Sequence, residues 1–174
     1  MTYHARTRTL ALMALFSAQG IVLHIIESYI PIPFIIPGAK LGLANIVTVS
    51  ALYVLSPVKV LGVIIVRVLL SSIFAGTMIT FAYSMAGAVL SYAMMLLLKS
   101  ILRDKVGLIG ISCTGAVFHN IGQLLVASIM IGSIRIISYL PFLSLAGIIT
   151  GIFVGIASHY LVMSTKRFQA KVNI

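Results

Sequence analysis

From Thr9 to Met163 the chain is a succession of apolar runs, broken only at prolines, glycines and short basic turns. A helix of about 20 mostly apolar residues is what crosses a hydrocarbon layer roughly 30 Å thick. In that layer every backbone N–H and C=O must be satisfied within the protein, so spanning segments are helices or closed barrels. The remainder of the composition agrees: 61% of residues are hydrophobic, 8% are charged, and the mean hydropathy is +1.20, whereas a soluble domain carries roughly 25% charged residues. The expected fold class is therefore all-α, a polytopic membrane bundle of about six transmembrane helices. No polar stretch is long enough to be a linker, so residues 1–174 are expected to form one transmembrane domain.

The runs set the expected helices at about 9–30, 41–55, 58–75, 78–98, 106–131 and 138–163. Pro31 ends the first, and the loop Pro31–Gly38 carries three prolines, which remove amide donors and bar continued helix. Ser56-Pro57 stops the second. Gly76-Thr77 divides the third from the fourth, and 99–105 is a charged turn.

Charge placement sets the topology. The chain has 12 Lys and Arg against 2 Asp and Glu, a balance that would suggest nucleic acid in a soluble protein. Here the cations sit at the ends of apolar runs and orient helices, so no nucleic-acid partner is expected. With six helices and both termini cytoplasmic, the inner segments hold Arg6, Arg8, Lys59, Lys99, Arg103, Lys105, Lys166, Arg167 and Lys171. Only Lys40 and Arg135 lie outside, and Arg67 falls within helix three, as the positive-inside rule expects. Fusing helices three and four would put the last six of those nine outside. The expected location is the cell membrane, multi-pass. The first run is too long for a signal-peptide core and lacks a small-residue cleavage pattern, so a cleavable leader is not expected. Cys113 lies inside an apolar run and carries no disulfide framework.

Polar groups inside a membrane are costly unless paired and so mark function by default. They are few: His24, Glu27 and Ser28 on helix one, Lys40 and Asn45 at the start of helix two, Arg67 on helix three, Tyr83 and Tyr92 on helix four, His119, Asn120 and Gln123 on helix five, and His159 on helix six. Glu27 lies about 11 Å above the midpoint of helix one at 1.5 Å per residue. His24 is one turn below it, Lys40 and Asn45 descend into the same layer, and the helix-five trio and Arg67 sit near mid-depth. These groups converge on the outer half of the bundle, while His159 falls near the cytoplasmic end. Each also has a structural reading. Glu27 with Lys40 or Arg67 forms a packing ion pair, His119 is a core histidine bonded to a carbonyl, Asn45 and Asn120 are interhelical hydrogen bonds, and the tyrosines pack. Lys40, Arg67 and Arg135 outnumber Glu27, an excess that an anionic or phosphorylated ligand would balance.

Small residues at Ala11, Ala14 and Ala18 share one side of helix one, and Gly87-Ala88-Ser91 and Gly147-Gly151-Gly155 repeat the pattern on helices four and six. Such spacing lets helix backbones approach closely in lipid, either inside the bundle or against a separate membrane subunit.

Enzymatic chemistry has little to stand on. Asp104 and Glu27 are the only acids and fall on opposite sides of the membrane, so no carboxylate cluster can hold catalytic Mg²⁺. No Gly-rich loop with GK[ST] is present, and no Ser-His-Asp set can share a site. His24 and Glu27 have the spacing of half a metal site, but no second carboxylate or Cys–His set completes it. No enzyme activity, metal or cofactor is expected.

The stretch PGAKLGLANIVTV at Pro37–Val49, with ALMALFSA on helix one and FHNIGQL at Phe118–Leu124, resembles the signature of the Gx transporter family, often labelled heptaprenyl diphosphate synthase component I. In architecture the chain is also similar to the substrate-binding S components of energy-coupling factor (ECF) transporters, six-helix proteins of this size with an alanine motif on helix one. That similarity implies docking of Ala14 and Ala18 on a transmembrane scaffold subunit driven by ATPase subunits. It also implies a lid formed by the Pro31–Lys40 loop and a small-molecule substrate held among Glu27, Lys40, Asn45, His119 and Gln123. Arg67 stands beside them on the charge argument.

Three functional readings follow. The first is a transport component that binds a vitamin-like, isoprenoid or otherwise partly apolar substrate from outside and relies on energy-coupling partners. The second is a non-catalytic membrane subunit supporting isoprenoid or quinone synthesis. The third is a structural subunit of a redox or flavin-handling membrane complex.

Overall fold

The computed structural model describes residues 3–29, 42–75 and 78–171. They form six α-helices: α1 (Tyr3–Tyr29), α2 (Leu43–Val54), α3 (Pro57–Ala75), α4 (Met78–Leu102), α5 (Leu108–Ile131) and α6 (Leu140–Lys171). Short 3₁₀ turns occur at Arg103–Lys105 and Ile134–Tyr139, and there is no strand among the described residues. The protein is thus an all-α polytopic membrane bundle. Five of the helices are long and apolar enough to cross a membrane. The Gly76-Thr77 break lies outside the described residues, although α3 and α4 end and begin on either side of it.

Local chemistry sets the helix ends. Gly42 caps α2 in a left-handed conformation (φ 74°, ψ 28°), which a side chain would strain. Leu55 leaves α2 in extended geometry, just before Ser56 and Pro57, where the proline ring disfavours α backbone in the preceding residue. The N–H of Gly132 donates to the Ile129 carbonyl and that of Ser133 to the Ser128 carbonyl, a Schellman closure of α5.

Helices α1 and α6 overrun their expected ranges, reaching Tyr3 and Lys171. At 27 and 32 residues they are about 40 and 48 Å long, well beyond the hydrocarbon thickness. Hydropathy falls where the charged residues begin, but the backbone hydrogen bonds continue.

Helix α2 has 12 residues, about 18 Å, and is the inner element of the bundle. It packs on α1, α3, α5 and α6, and Ala44, Val47, Thr48, Val49, Ser50, Ala51 and Leu52 are all buried. Its two ends face opposite charges. The backbone N–H of Gly42 donates to Oε1 of Glu27 at 2.6 Å, and Nζ of Lys99 donates to the Leu52 carbonyl at 2.5 Å. An acid at the N-terminus and a cation at the C-terminus both complement the helix dipole. Along its length α2 is clasped to α6, with the Ser158 hydroxyl donating to the Ile46 carbonyl at 3.2 Å.

The other helices follow one another around it, α1 on α3, α3 on α4, α4 on α5 and α5 on α6. Glycines bring the last three together. A Cβ on Gly122 would lie 2.7 Å from the Ala86 carbonyl oxygen, and one on Gly151 or Gly155 would lie 2.7 Å from the Cα of Cys113 or Ile109. The small-residue patterns on α4 and α6 therefore serve internal packing. The buried apolar cluster is built from Phe16 of α1, Val47, Val49, Ala51 and Leu52 of α2, Val60, Val63, Ile64 and Val68 of α3, Ala88, Tyr92 and Met95 of α4, Ile111 and Val154.

Most of that cluster lies toward the end of the bundle where the cations gather. Lys59 Nζ reaches Thr9 Oγ1 at 3.5 Å, Lys99 senses the charge of Lys166, and the Tyr92 hydroxyl donates to the Pro57 carbonyl. The start of α1, the turn from α2 to α3, the end of α4 and the end of α6 thus share one basic end.

Candidate functional site

The opposite half of the bundle is polar inside. Below the N-terminus of α2 lies a cavity of about 60 Å³ walled by α1, α3, α4, α5 and α6. Arg67 reaches it from α3. Its side chain crosses α1 at Gly20, where a Cβ would collide with the arginine's Cδ, so the glycine is the notch through which Arg67 passes. Arg67 is only 6% exposed, and its Nε has no hydrogen-bond partner. It interacts electrostatically with Glu27, which lines the same cavity. One turn further along α3, Ser71 is 4% exposed and its hydroxyl is also without a partner. Buried polar atoms are nearly always bonded, so two orphaned donors on one face of α3, both lining one cavity, point to something that fills it.

Helix α5 supplies the facing wall. His119 and Gln123 line the cavity, and their position is fixed by Gly87 of α4. A Cβ there would meet the His119 carbonyl oxygen at 2.8 Å and the Gln123 Cγ at 3.0 Å. Asn120 is turned to α6, its amide donating to the Leu143 carbonyl at 2.7 Å in the space left by Gly147. That is the interhelical hydrogen bond expected as one reading of Asn120. His24, Asn45, Ser84 and Thr150 complete much of the rim.

Five of the six residues singled out as substrate-binding candidates, Glu27, Asn45, Arg67, His119 and Gln123, therefore share one cavity. Lys40 and the Pro31–Lys40 loop lie outside the described residues. Arg135 is exposed in the 134–139 turn and is not a lining residue, so the described wall sets one cation against one acid. The expected positive excess is not found among the described lining residues. Glu27 has a structural duty as well, since its carboxylate holds Gly42 and the start of α2. Ala14 and Ala18 lie exposed on α1. Tyr92 packs in the core, and His159 is exposed beside Tyr160. Ser71, Ser84 and Thr150 were not legible as site residues. Hydroxyls within apolar helices are common, and their only sequence signal is the one-turn spacing of Ser71 from Arg67.

Among the described residues no three His, Cys, Asp or Glu side chains come together as metal ligands. Glu27 is near the cavity, and Asp104 is in the 3₁₀ turn that follows α4, at the basic end. What the cavity offers is a guanidinium, several hydroxyls, imidazoles and amides beside one carboxylate, under a helix N-terminus.

Fold and site together define a multi-pass membrane protein with a small polar chamber enclosed in an apolar bundle. A family model for heptaprenyl diphosphate synthase component I matches residues 16–161. The chain belongs to that family, whose members are also labelled Gx transporters. It matches no curated protein and no solved structure.

Proposed function

We propose that this protein is the ligand-binding membrane component of a transport system in the cell membrane, holding a small molecule in the polar cavity opposite its basic end. The observation that carries the reading is the convergence of Glu27, Asn45, Arg67, His119 and Gln123 from four helices on one chamber, with two orphaned donors in its wall. Burying unsatisfied donors costs about 1–3 kcal/mol each, a cost that a ligand bearing acceptors removes. The basic end faces the cytoplasm by the positive-inside rule, so the chamber lies toward the outer side. Catalysis is not part of this reading. Of the chain's two acids, Glu27 lines the chamber and is already engaged with Gly42, whereas Asp104 belongs to the turn after α4.

A bundle of this size without a Gly-rich GK[ST] phosphate loop depends on others for energy, namely a transmembrane scaffold subunit and ATPase subunits of the ECF type. The exposed Ala14 and Ala18 face of α1 is the docking surface. Replacing Ala14 or Ala18 with Leu should abolish uptake in cells while leaving ligand binding by the purified protein unchanged. Uptake that persists in both variants would remove the docking assignment.

The family description favours a second reading, a non-catalytic membrane subunit serving isoprenoid diphosphate synthesis. Native mass spectrometry of the gently purified protein separates the two. Scaffold and ATPase subunits with a retained small molecule support transport. A soluble prenyl synthase as sole partner supports the second.

A further inference from the structure

The polar cavity has a neighbour. An apolar groove of about 550 Å³ runs along the outer part of α5, lined by Leu124, Ala127 and Ile131 of α5, by Tyr83 of α4, and by Tyr139 and Leu143 of the following turn and α6. The two spaces share Ser84 and Gln123. Along α5 the residues 116, 119, 120 and 123 line the cavity and 123, 124, 127 and 131 line the groove. That is one helical stripe, continuing outward for about 12 Å beyond Gln123 at 1.5 Å per residue. Leu143, Gly147 and Thr150 extend the same order on α6.

Size decides what such a pair can hold. At 60 Å³ the cavity takes a few waters or one small polar group, far below the 300–1,000 Å³ of usual ligand sites. The groove at 550 Å³ is within that range but is walled mainly by apolar side chains. Only a molecule polar at one end and apolar along the rest uses both. Chemistry orients the polar end: the Arg67 Nε–H and the Ser71 hydroxyl lack partners, so the head group is an acceptor, and the guanidinium together with the N-terminus of α2 favours an anionic one. Glu27 shares this wall, and its charge is set against both Arg67 and the N-terminus of α2, where it accepts the Gly42 N–H.

We infer that cavity and groove form one composite site for an amphiphile, its anionic head beside Arg67 and Ser71 and its single apolar chain along α5 between Tyr83 and Leu143. This deepens the ligand-binding reading above and rests on it. It makes the groove the route by which the chain of the ligand reaches the surrounding lipid.

The test uses the full chain in neutral-lipid nanodiscs and a dodecyl phosphate carrying a diazirine near its chain end. Photolysis should label peptides spanning residues 124–131 and 136–143. Unmodified dodecyl phosphate should suppress that labelling at a concentration at least tenfold lower than dodecyl maltoside, which has the chain with a neutral head, or inorganic phosphate, which has the charge without a chain. Ala127→Phe, which fills the groove at a lipid-facing position, and Ser71→Ala, which removes one orphaned hydroxyl, should each lower labelling several-fold while the protein stays folded. Equal competition by dodecyl maltoside overturns the anionic head, and equal competition by inorganic phosphate overturns the chain. Labelling absent from both segments, or unmoved by Ala127→Phe, overturns the composite site. A protein that fails here yet copurifies with scaffold and ATPase subunits keeps its transport reading and loses only the amphiphile.

Discussion

Glu27 joins two parts of the molecule through one carboxylate. It accepts the Gly42 N–H, fixing where α2 begins, and its charge acts on Arg67, which has few other ways to be satisfied at 6% exposure. Replacing it with Gln keeps the volume and removes the charge. Glu27→Gln should therefore destabilise the solubilised protein by about 1.5–3 kcal/mol, the range for hydrogen bonds to charged groups. Adding Arg67→Gln should cost less than the sum of the two single changes, because the guanidinium is left uncompensated only in the first variant. Thermal unfolding of the four proteins in detergent measures the coupling, and additive losses would show that the two side chains act independently. This pair was legible in the sequence because an acid and an arginine inside apolar runs are conspicuous. Ser71 was not. A helical serine or threonine can satisfy itself on its own backbone, as Ser72 does on the Val68 carbonyl and Thr114 on the Gly110 carbonyl. Nothing in the residue type tells the satisfied hydroxyl from the orphaned one.

At the scale of helices, the glycines of α4, α5 and α6 decide how close the chamber walls stand. Gly122→Ala puts a methyl against the backbone of Ala86 and Gly87, which cannot move aside without parting α4 from α5. Overpacking of this kind costs about 1–3 kcal/mol, and it should also displace His119 and Gln123, lowering both the unfolding midpoint and ligand retention. Gly110→Ala meets only the Val106 side chain and should change neither by much. The helices themselves were readable from hydropathy, and α2, α3 and the start of α4 fall within two residues of expectation. The ends of α1, α4 and α6 were not, since hydropathy records where lipid gives way to water and a helix can carry its own hydrogen bonds past that boundary. The inner place of α2 was also hidden. A buried helix and a lipid-facing one have the same apolar composition, and only contacts tell them apart.

Over the whole molecule, apolar packing and polar chamber divide the bundle lengthwise, with most of the described cations at the packed end. That polarity makes a topological prediction. In a Cys113→Ala background, a cysteine placed at Ser133, in the turn after α5, should react in intact cells with a maleimide that cannot cross membranes. A cysteine at Lys105, in the turn after α4, should react only after the cells are opened. The reverse pattern would turn the protein over and place its chamber on the cytoplasmic side. The glycine contacts carry a mechanical consequence as well. Helices α4, α5 and α6 are keyed backbone to backbone as one closely packed layer, whereas α1 meets only α2 and α3 extensively. The chamber lies on the joint between that layer and the α1–α3 pair, with Arg67 and Ser71 on one side and His119 and Gln123 on the other. In the transport reading proposed above, an occupant of the chamber is a shim in that joint, bearing on α3 from one side and on α5 from the other.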